Sequence, residues 1–319
     1  MPAGQAEQRS GSARPVRIGV SACLLGQEVR YDGGHKRASF VADVLPRYVE
    51  LIPLCPEVAI GLGVPREPIR LEGAPEAPRA VGVSNRQLDV TDRLQDYGRE
   101  VAAALGDISG YIFKSKSPSC GLENVRLHTA DGGAIAAGTG LYAAEIVRAM
   151  PLLPVVEESR LEDPEDRENF MERVFAYHRW QELLRQGPTA ERLASFHAAH
   201  KMILLAHSRE YLTQLGRLVA AAGRQPLAEQ VRVYGELLMQ ALAQPATRQR
   251  HADALYHLMG YLKDQLDQAD KAELVELIEN YRTGLVPRIA PIVLLRHHFR
   301  RHPQPYVEQQ LYLAEPQVF

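Results

Sequence analysis

The stretch VRIGVSACLLG, Val16 to Gly26, decides how the first half of the chain folds. Val16–Val20 is β-rich and reads as a strand that breaks at once into a loop carrying Cys23 and Gly26. Working outward, Arg37–Leu45 reads as a helix and Val49–Leu54 as a second strand, closed by Cys55-Pro56-Glu57. A Pro-rich stretch follows to Arg79, and a helix then starts near Thr91, which can cap it, and runs to about Leu105. Tyr111–Phe113 is a short third strand, followed by KSKSPSCG, Lys114 to Gly121. Another helix begins near Gly140, and Pro154–Val156 supplies a fourth strand. Strands alternating with helices predict a mostly parallel, Rossmann-like α/β domain with helices on both faces of its sheet. Each cysteine then falls just past the C-terminal end of a strand: Cys23 after the first, Cys55 after the second, Cys120 after the third. That edge is where open α/β sheets bind ligands.

The second half carries no strand signal. Asp163-Pro164-Glu165-Asp166 is a strong helix start, with an N-cap acid, Pro at the first position and acids in the first turn. That helix is expected to run to about Gln186 and stop at Gly187-Pro188, with further helices separated by Gly223, Pro226, Pro245 and the Gly284–Pro287 turn. The expected organisation is a polar, disordered tail over 1–15, an α/β domain with a trailing helix over 16–188, and an all-α domain over 189–319.

At 319 residues with 45% apolar, 24% charged and a net charge of −2, the chain has the composition of an ordinary globular protein with room for two cores. No apolar run approaches a membrane span and the N-terminus lacks a signal peptide's apolar stretch, so a cytoplasmic location is expected. Near-neutral charge argues against purely electrostatic nucleic-acid binding and leaves room for a local basic face. Nothing in the chain calls for a nucleotide cofactor or specifies an oligomeric state.

Three cysteines are an odd number and fit no closed disulfide framework; in a reducing compartment they point to packing, catalysis or metal. A cysteine taken alone is more often a small buried hydrophobe than a ligand. The neighbours alter that balance: Gly26, Gly33 and Gly34 follow Cys23, Pro56 follows Cys55, and Pro118 and Gly121 flank Cys120. These are loops of special backbone geometry rather than strand interiors. Three thiolates can serve three irons of a four-iron cluster and leave the fourth open to a sulfur-bearing substrate. A tetrahedral zinc site with His35 as fourth ligand is the metal alternative. Glu57 can act as a general base on water or be a surface carboxylate, and Ser117 can relay a proton or serve only the turn. Lys114 and Lys116 can meet an anionic substrate or remain solvated.

Three motifs in order, Ser21 to Gly33 (SACLxG and RYDG), Cys55 to Arg66 (CPE, GL and PR) and Lys114 to Gly121, resemble the thiouracil desulfidase family over residues 15–160 or so. The C-terminal half, with FHAAHKMILLAH, HADALYHLMGYLK and LLRHHFRR, is similar to the helical domain fused to such desulfidases in bacterial tRNA 4-thiouridine desulfidases. The resemblance implies a [4Fe-4S] cluster on Cys23, Cys55 and Cys120 with one open iron that takes the thiocarbonyl sulfur. It further implies non-redox hydrolysis, with water attacking the carbon, Glu57 as base, Ser117 assisting and sulfide released.

The helical half holds eight of the eleven histidines, among them His197 and His200 three residues apart; core or surface roles are commoner than a second metal site. Arg248 and Arg250, then Arg296, Arg300 and Arg301, form two short basic clusters. With Lys201, Arg66, Lys114 and Lys116 they are the candidate RNA contacts, although charges near helix ends also simply complement the helix dipole. The leading expectation is desulfuration of 4-thiouridine in tRNA. Desulfuration of free thiouracil and a non-catalytic iron–sulfur or redox-sensing RNA-binding module are the competing ones.

Overall fold

The computed structural model describes residues 14–129, 133–223 and 226–314, so most of the tail expected over 1–15 lies outside the described residues. Among the described residues the α/β half contains eight strands: β1 (Arg17–Ser21), β2 (Glu50–Leu54), β3 (Ile69–Ala74), β4 (Ala77–Gly82), β5 (Gly110–Phe113), β6 (Val125–His128), β7 (Ala134–Gly138) and β8 (Val155–Glu157). Interleaved with them are helices α1 (Pro56–Ala59), α2 (Thr91–Ala104) and α3 (Leu141–Ala149). The four strands expected from sequence form one sheet in the order β2-β1-β5-β8, every neighbouring pair parallel.

Side-chain alternation along β5 shows both faces covered. Ile112 joins Ile18 and Val20 of β1 in a core with Phe170, Met171 and Val174. Tyr111 and Phe113 face the other way, into Val101 and Ala102 of α2 and Tyr142 and Ile146 of α3.

A second sheet, β4-β3-β6-β7, was not expected. It grows from the Pro-rich stretch and from the Gly-rich segment before Gly140. β3 pairs antiparallel with β4 and parallel with β6, and β6 pairs antiparallel with β7. Pro78 is tolerated because β4 is an edge strand, where a missing N–H costs no ladder bond. Ile69, Leu71, Val125 and Leu127 of this sheet pack against Leu94 of α2 and Leu141 at the start of α3.

Two smaller expectations shift. Arg37–Leu45 forms only one π turn and one 3₁₀ turn over Phe40–Arg47, with Pro46 inside the second. Thr91 is the first residue of α2 rather than its cap; Asp89 Oδ1 accepts its amide at 2.9 Å.

The second half is all helical among the described residues: α4 (Pro164–Arg185), α5 (Ala190–His207), α6 (Arg209–Ala220), α7 (Leu227–Ala243), α8 (Arg248–Gly260), α9 (Gln268–Arg282), α10 (Ile289–Arg301), α11 (Pro305–Glu308) and α12 (Leu311–Ala314). Asp163 caps α4 as the sequence predicts, accepting from the Glu165 and Asp166 amides. Gly187, at φ +81°, follows its end. Thr189, Ser208, Thr247 and Asp267 cap α5, α6, α8 and α9 in the same way.

Helix α4 is shared. Its first half gives Phe170, Met171, Val174 and Phe175 to the α/β core, and its second half gives Ala176, Trp180 and Leu183 to the helical core. Between them Glu172 enters a buried polar network: it accepts from Arg288, and its Oε2 lies 2.9 Å from His207 Nε2. No described helix is long and apolar enough to cross a membrane.

Candidate functional site

Adjacent strands β2, β1 and β5 all end at the same edge, and the segments leaving them carry the three cysteines. Cys23 sits in a 3₁₀ turn, Ala22–Leu25, closed by Gly26 at φ +89°. The Lys36 amide returns to the Cys23 carbonyl at 2.9 Å and folds the intervening loop over the edge. Cys55 is the residue before α1 and has Pro56 as the first helical residue. Cys120 lies in a turn organised by Ser117, whose Oγ accepts the Cys120 amide at 3.1 Å and the Ser119 amide at 3.3 Å.

The start of α3 clamps this turn. Leu141 N donates to Pro118 O and Ala143 N to Ser119 O, both at 3.1 Å. The approach is so close that a Cβ on Gly140 would lie 2.5 Å from the Ser119 carbonyl and 2.7 Å from Cys120 N. Lys116, in the same loop, is held at φ +58°.

The segments enclose a cavity of ≈ 330 Å³, walled by Cys23, Cys55 and Cys120 together with Glu57, Arg66, Lys114 and Ser117. The structure thus brings together every α/β residue singled out from sequence except His35, with Lys116 also in the lining. His35, the fourth ligand of the zinc alternative, is exposed and is not among the lining residues; its Nδ1 accepts the Arg37 amide at 3.3 Å.

All three cysteines are free. Burial and then the neighbouring Cys55 push the Cys23 thiol up to about 11. Burial likewise raises Cys55, and burial with Glu57 raises Cys120 well above the ordinary thiol value. Each ionised thiol would disfavour ionisation of the others, so near neutral pH they stay protonated unless positive charge is brought among them. No three His, Cys, Asp or Glu side chains among the described residues gather as one metal ion requires, although all three cysteines line the same cavity.

Glu57 is held from both sides. Arg66 donates to Oε2 from Nε at 2.9 Å and approaches with its terminal nitrogen to 2.7 Å, while the Ser119 hydroxyl donates to Oε1 at 2.8 Å. The Arg66 side chain is only 4% exposed, so this arginine belongs to the cavity rather than to an outer RNA surface. Lys114 is paired with Glu158, which also accepts the Ser115 amide at 2.6 Å.

Three residues that sequence reading missed now emerge. Ser119 and Glu158 fix Glu57 and Lys114, and Ser21, buried at the end of β1, accepts the Lys114 amide at 3.0 Å. Ser21 and Ser119 flank the cysteines in sequence; Glu158 carried no such signal.

The C-terminal candidates are dispersed. Arg248 pairs with Glu165 at 2.8 Å, and Arg250 donates to the His207 carbonyl at 2.7 Å, so both serve the fold. Arg300 and Arg301 are exposed at the end of α10 with Arg296 nearby. Lys201 lines a separate groove. The histidines are largely structural: His197 meets Tyr234, His207 meets Glu172 and the Gln244 carbonyl, and His251 meets Tyr312.

Comparison with known proteins matches two families to separate stretches of the chain. A family described as 2-thiouracil desulfurase matches residues 18–158, and a protein family of unknown function, DUF1722, matches residues 201–316. The uncharacterized protein YbgA of Escherichia coli (strain K12) is 30% identical over 141 residues, 44% of this chain and 83% of its own length. The uncharacterized protein YbbK of Bacillus subtilis (strain 168) is 31% identical over 150 residues, 45% of this chain and 97% of its own. A solved structure, the [4Fe-4S]-dependent thiouracil desulfidase TudS, shares 36% identity over 46% of this chain and 93% of its own, with a TM-score of 0.38.

Proposed function

We propose, from the premise that this chain belongs to the 2-thiouracil desulfurase family, that it removes sulfur hydrolytically from 4-thiouridine in tRNA using an iron–sulfur cluster on Cys23, Cys55 and Cys120. The observation that carries this reading is the convergence of three free, buried cysteines and a clamped carboxylate on one cavity at the C-terminal edge of a parallel sheet. Its volume is that of a small-ligand site.

The donor set fits a cluster. Three thiols that oppose one another's ionisation suit a group that brings positive charge and takes each as a thiolate. When bound, a [4Fe-4S] cluster with three protein ligands supplies one open, thiophilic iron as a Lewis acid for a thiocarbonyl sulfur.

The remaining work falls to the chain's own residues. Arg66 occupies Oε2 of Glu57 and leaves Oε1, shared only with Ser119, as the atom that takes a proton from an attacking water. Ser117 Oγ receives two amide hydrogens, so its own proton is free to point into the cavity and donate to the base. Glu158 holds Lys114 against the wall, which keeps the Cys120 loop in register with β1. Replacement of C=S by C=O with water yields sulfide and leaves the oxidation state of the base unchanged. A helical half with a core of its own supports an RNA substrate over a free base, which needs no such platform.

The test is sulfide release by anaerobically purified, iron-reconstituted protein from bulk tRNA containing 4-thiouridine, with free thiouracil alongside. Cys120→Ala is expected to lose both cluster and activity. Glu57→Gln is expected to keep the cluster and lose turnover by about 10²–10⁴-fold. Reaction with free thiouracil alone would remove the RNA substrate. Iron-loaded protein inert toward both would replace the enzyme with a sensor.

A further inference from the structure

A second concavity, unconnected with the cysteines, lies between α5, α6 and α8 and measures ≈ 820 Å³. Its floor is formed by apolar side chains of α5 and α6, and no acidic residue lines it. Lys201 and Arg209 stand in its wall, and neither forms a side-chain hydrogen bond or ion pair among the described residues. Tyr261 and Tyr306, in the same lining, stack ring on ring, with centroids 5.3 Å apart and planes 27° from parallel, and His257 meets Tyr261 edge-on at 5.7 Å. His197, in the floor, bonds the Tyr234 hydroxyl at 3.2 Å; burial and then Lys201 push it down to about 4. At neutral pH the imidazole is therefore uncharged, and the fixed positive charge of the groove resides on Lys201 and Arg209.

An apolar trough alone would accept any greasy segment, but two uncommitted cations and a stacked tyrosine pair narrow the choice. A hydrophobic peptide would leave Lys201 and Arg209 without counter-charge, and a simple anion would leave the tyrosines and apolar floor unused. A nucleotide carries a flat ring and a phosphate within one short unit, and such platforms with adjacent cations are how unpaired strands are held. We propose that this groove binds an unpaired stretch of the RNA substrate, a base packing on the Tyr261–Tyr306 pair and its phosphate meeting Lys201 and Arg209. The proposal rests on the RNA reading above and adds the surface and the mode. Stacking serves every base, so the groove contributes affinity and placement rather than the choice of the thiolated position.

The experiment is a fluorescence-anisotropy titration of the full chain with an unthiolated tRNA transcript and a short single-stranded oligouridylate, at several salt concentrations. Lys201→Gln with Arg209→Gln is expected to flatten the dependence of log affinity on log salt by about 1–2. Tyr261→Leu and Tyr306→Leu keep apolar bulk and are expected to weaken binding about ten-fold with the salt slope unchanged. Melting temperature and iron content, measured on every variant, report on folding and on the cysteine site separately from RNA. If wild-type protein releases sulfide from neither thiolated tRNA nor free thiouracil while its RNA binding responds to the groove variants, the groove stands and the desulfuration reading falls. RNA affinity equal in wild type and all variants would overturn the proposal, as would absence of RNA binding by wild type. A sedimenting dimer that the tyrosine variants dissolve, with RNA affinity unchanged, would also overturn it and make the groove a self-association face.

Discussion

Replacing Gly140 by alanine tests whether packing behind the cavity positions its chemistry. The new Cβ would stand 2.5 Å from the Ser119 carbonyl carbon and oxygen and 2.7 Å from Cys120 N, all backbone atoms that cannot rotate away. Ordinary contact begins near 3.4 Å, so the loop bearing Ser117, Ser119 and Cys120 must retreat by about 1 Å, or α3 must do so. An overpacked core of this kind costs about 1–3 kcal/mol. A displacement of about 1 Å at a reacting centre can cost on the order of 10²-fold in rate. Gly140→Ala is therefore expected to lower the melting temperature moderately, reduce iron and sulfide content per chain, and slow desulfuration by roughly two orders of magnitude. Gly98→Ala is the matched control, because its Cβ would meet Glu145 Cβ at 2.7 Å and the Tyr142 carbonyl at 3.0 Å in the α2–α3 contact, away from the Cys120 loop. Comparable loss of stability in both variants, with cluster content and rate impaired only in Gly140→Ala, is the expected pattern. Full cluster loading and wild-type turnover in Gly140→Ala would refute the reasoning.

Two further outcomes follow from buried charge. In cluster-free protein the Cys23 thiol titrates near 11 against an ordinary 9.0. The fold therefore holds that proton more tightly than the unfolded chain, and the associated stability is complete below about pH 9 and lost as pH rises toward 11. Melting temperature of the apo protein should fall across that window, and Cys23→Ser should reduce the fall. In the helical half, burial alone would raise Glu172, yet Arg288 and His207 hold it well below the usual carboxylate range. Glu172→Ala leaves Arg288 with Glu168, 3.3 Å away, as its counter-charge and should cost about 2–4 kcal/mol by denaturant titration, whereas Glu172→Leu with Arg288→Met should recover most of the loss.

The sequence by itself determined the elements whose signals are local. The four strands of the parallel sheet lie within one residue of their expected limits, because each is a short apolar run bounded by turn residues. Asp163-Pro164 starts α4 and Gly187 follows its end, because capping and a left-handed residue act over a few positions. The placing of Cys23, Cys55 and Cys120 at one sheet edge also followed, since parallel strands linked by crossovers must present their C-terminal ends together.

What only the tertiary structure decided are the choices between competing local preferences and the contacts between distant residues. β7, sequence AIAAG, is rich in helix formers and becomes a strand because β6 offers it an unpaired edge. Pro78 marks a loop until β4 is known to be an edge strand. Nothing local announces that Glu57 is gripped by Ser119, 62 positions away, or that Lys114 closes on Glu158. Both halves of α4 carry apolar side chains, so its division between two cores depends on what packs against each half. Arg66 and Arg248 carry the same charge in the sequence, and only burial separates the one that serves the cavity from the one that braces the fold.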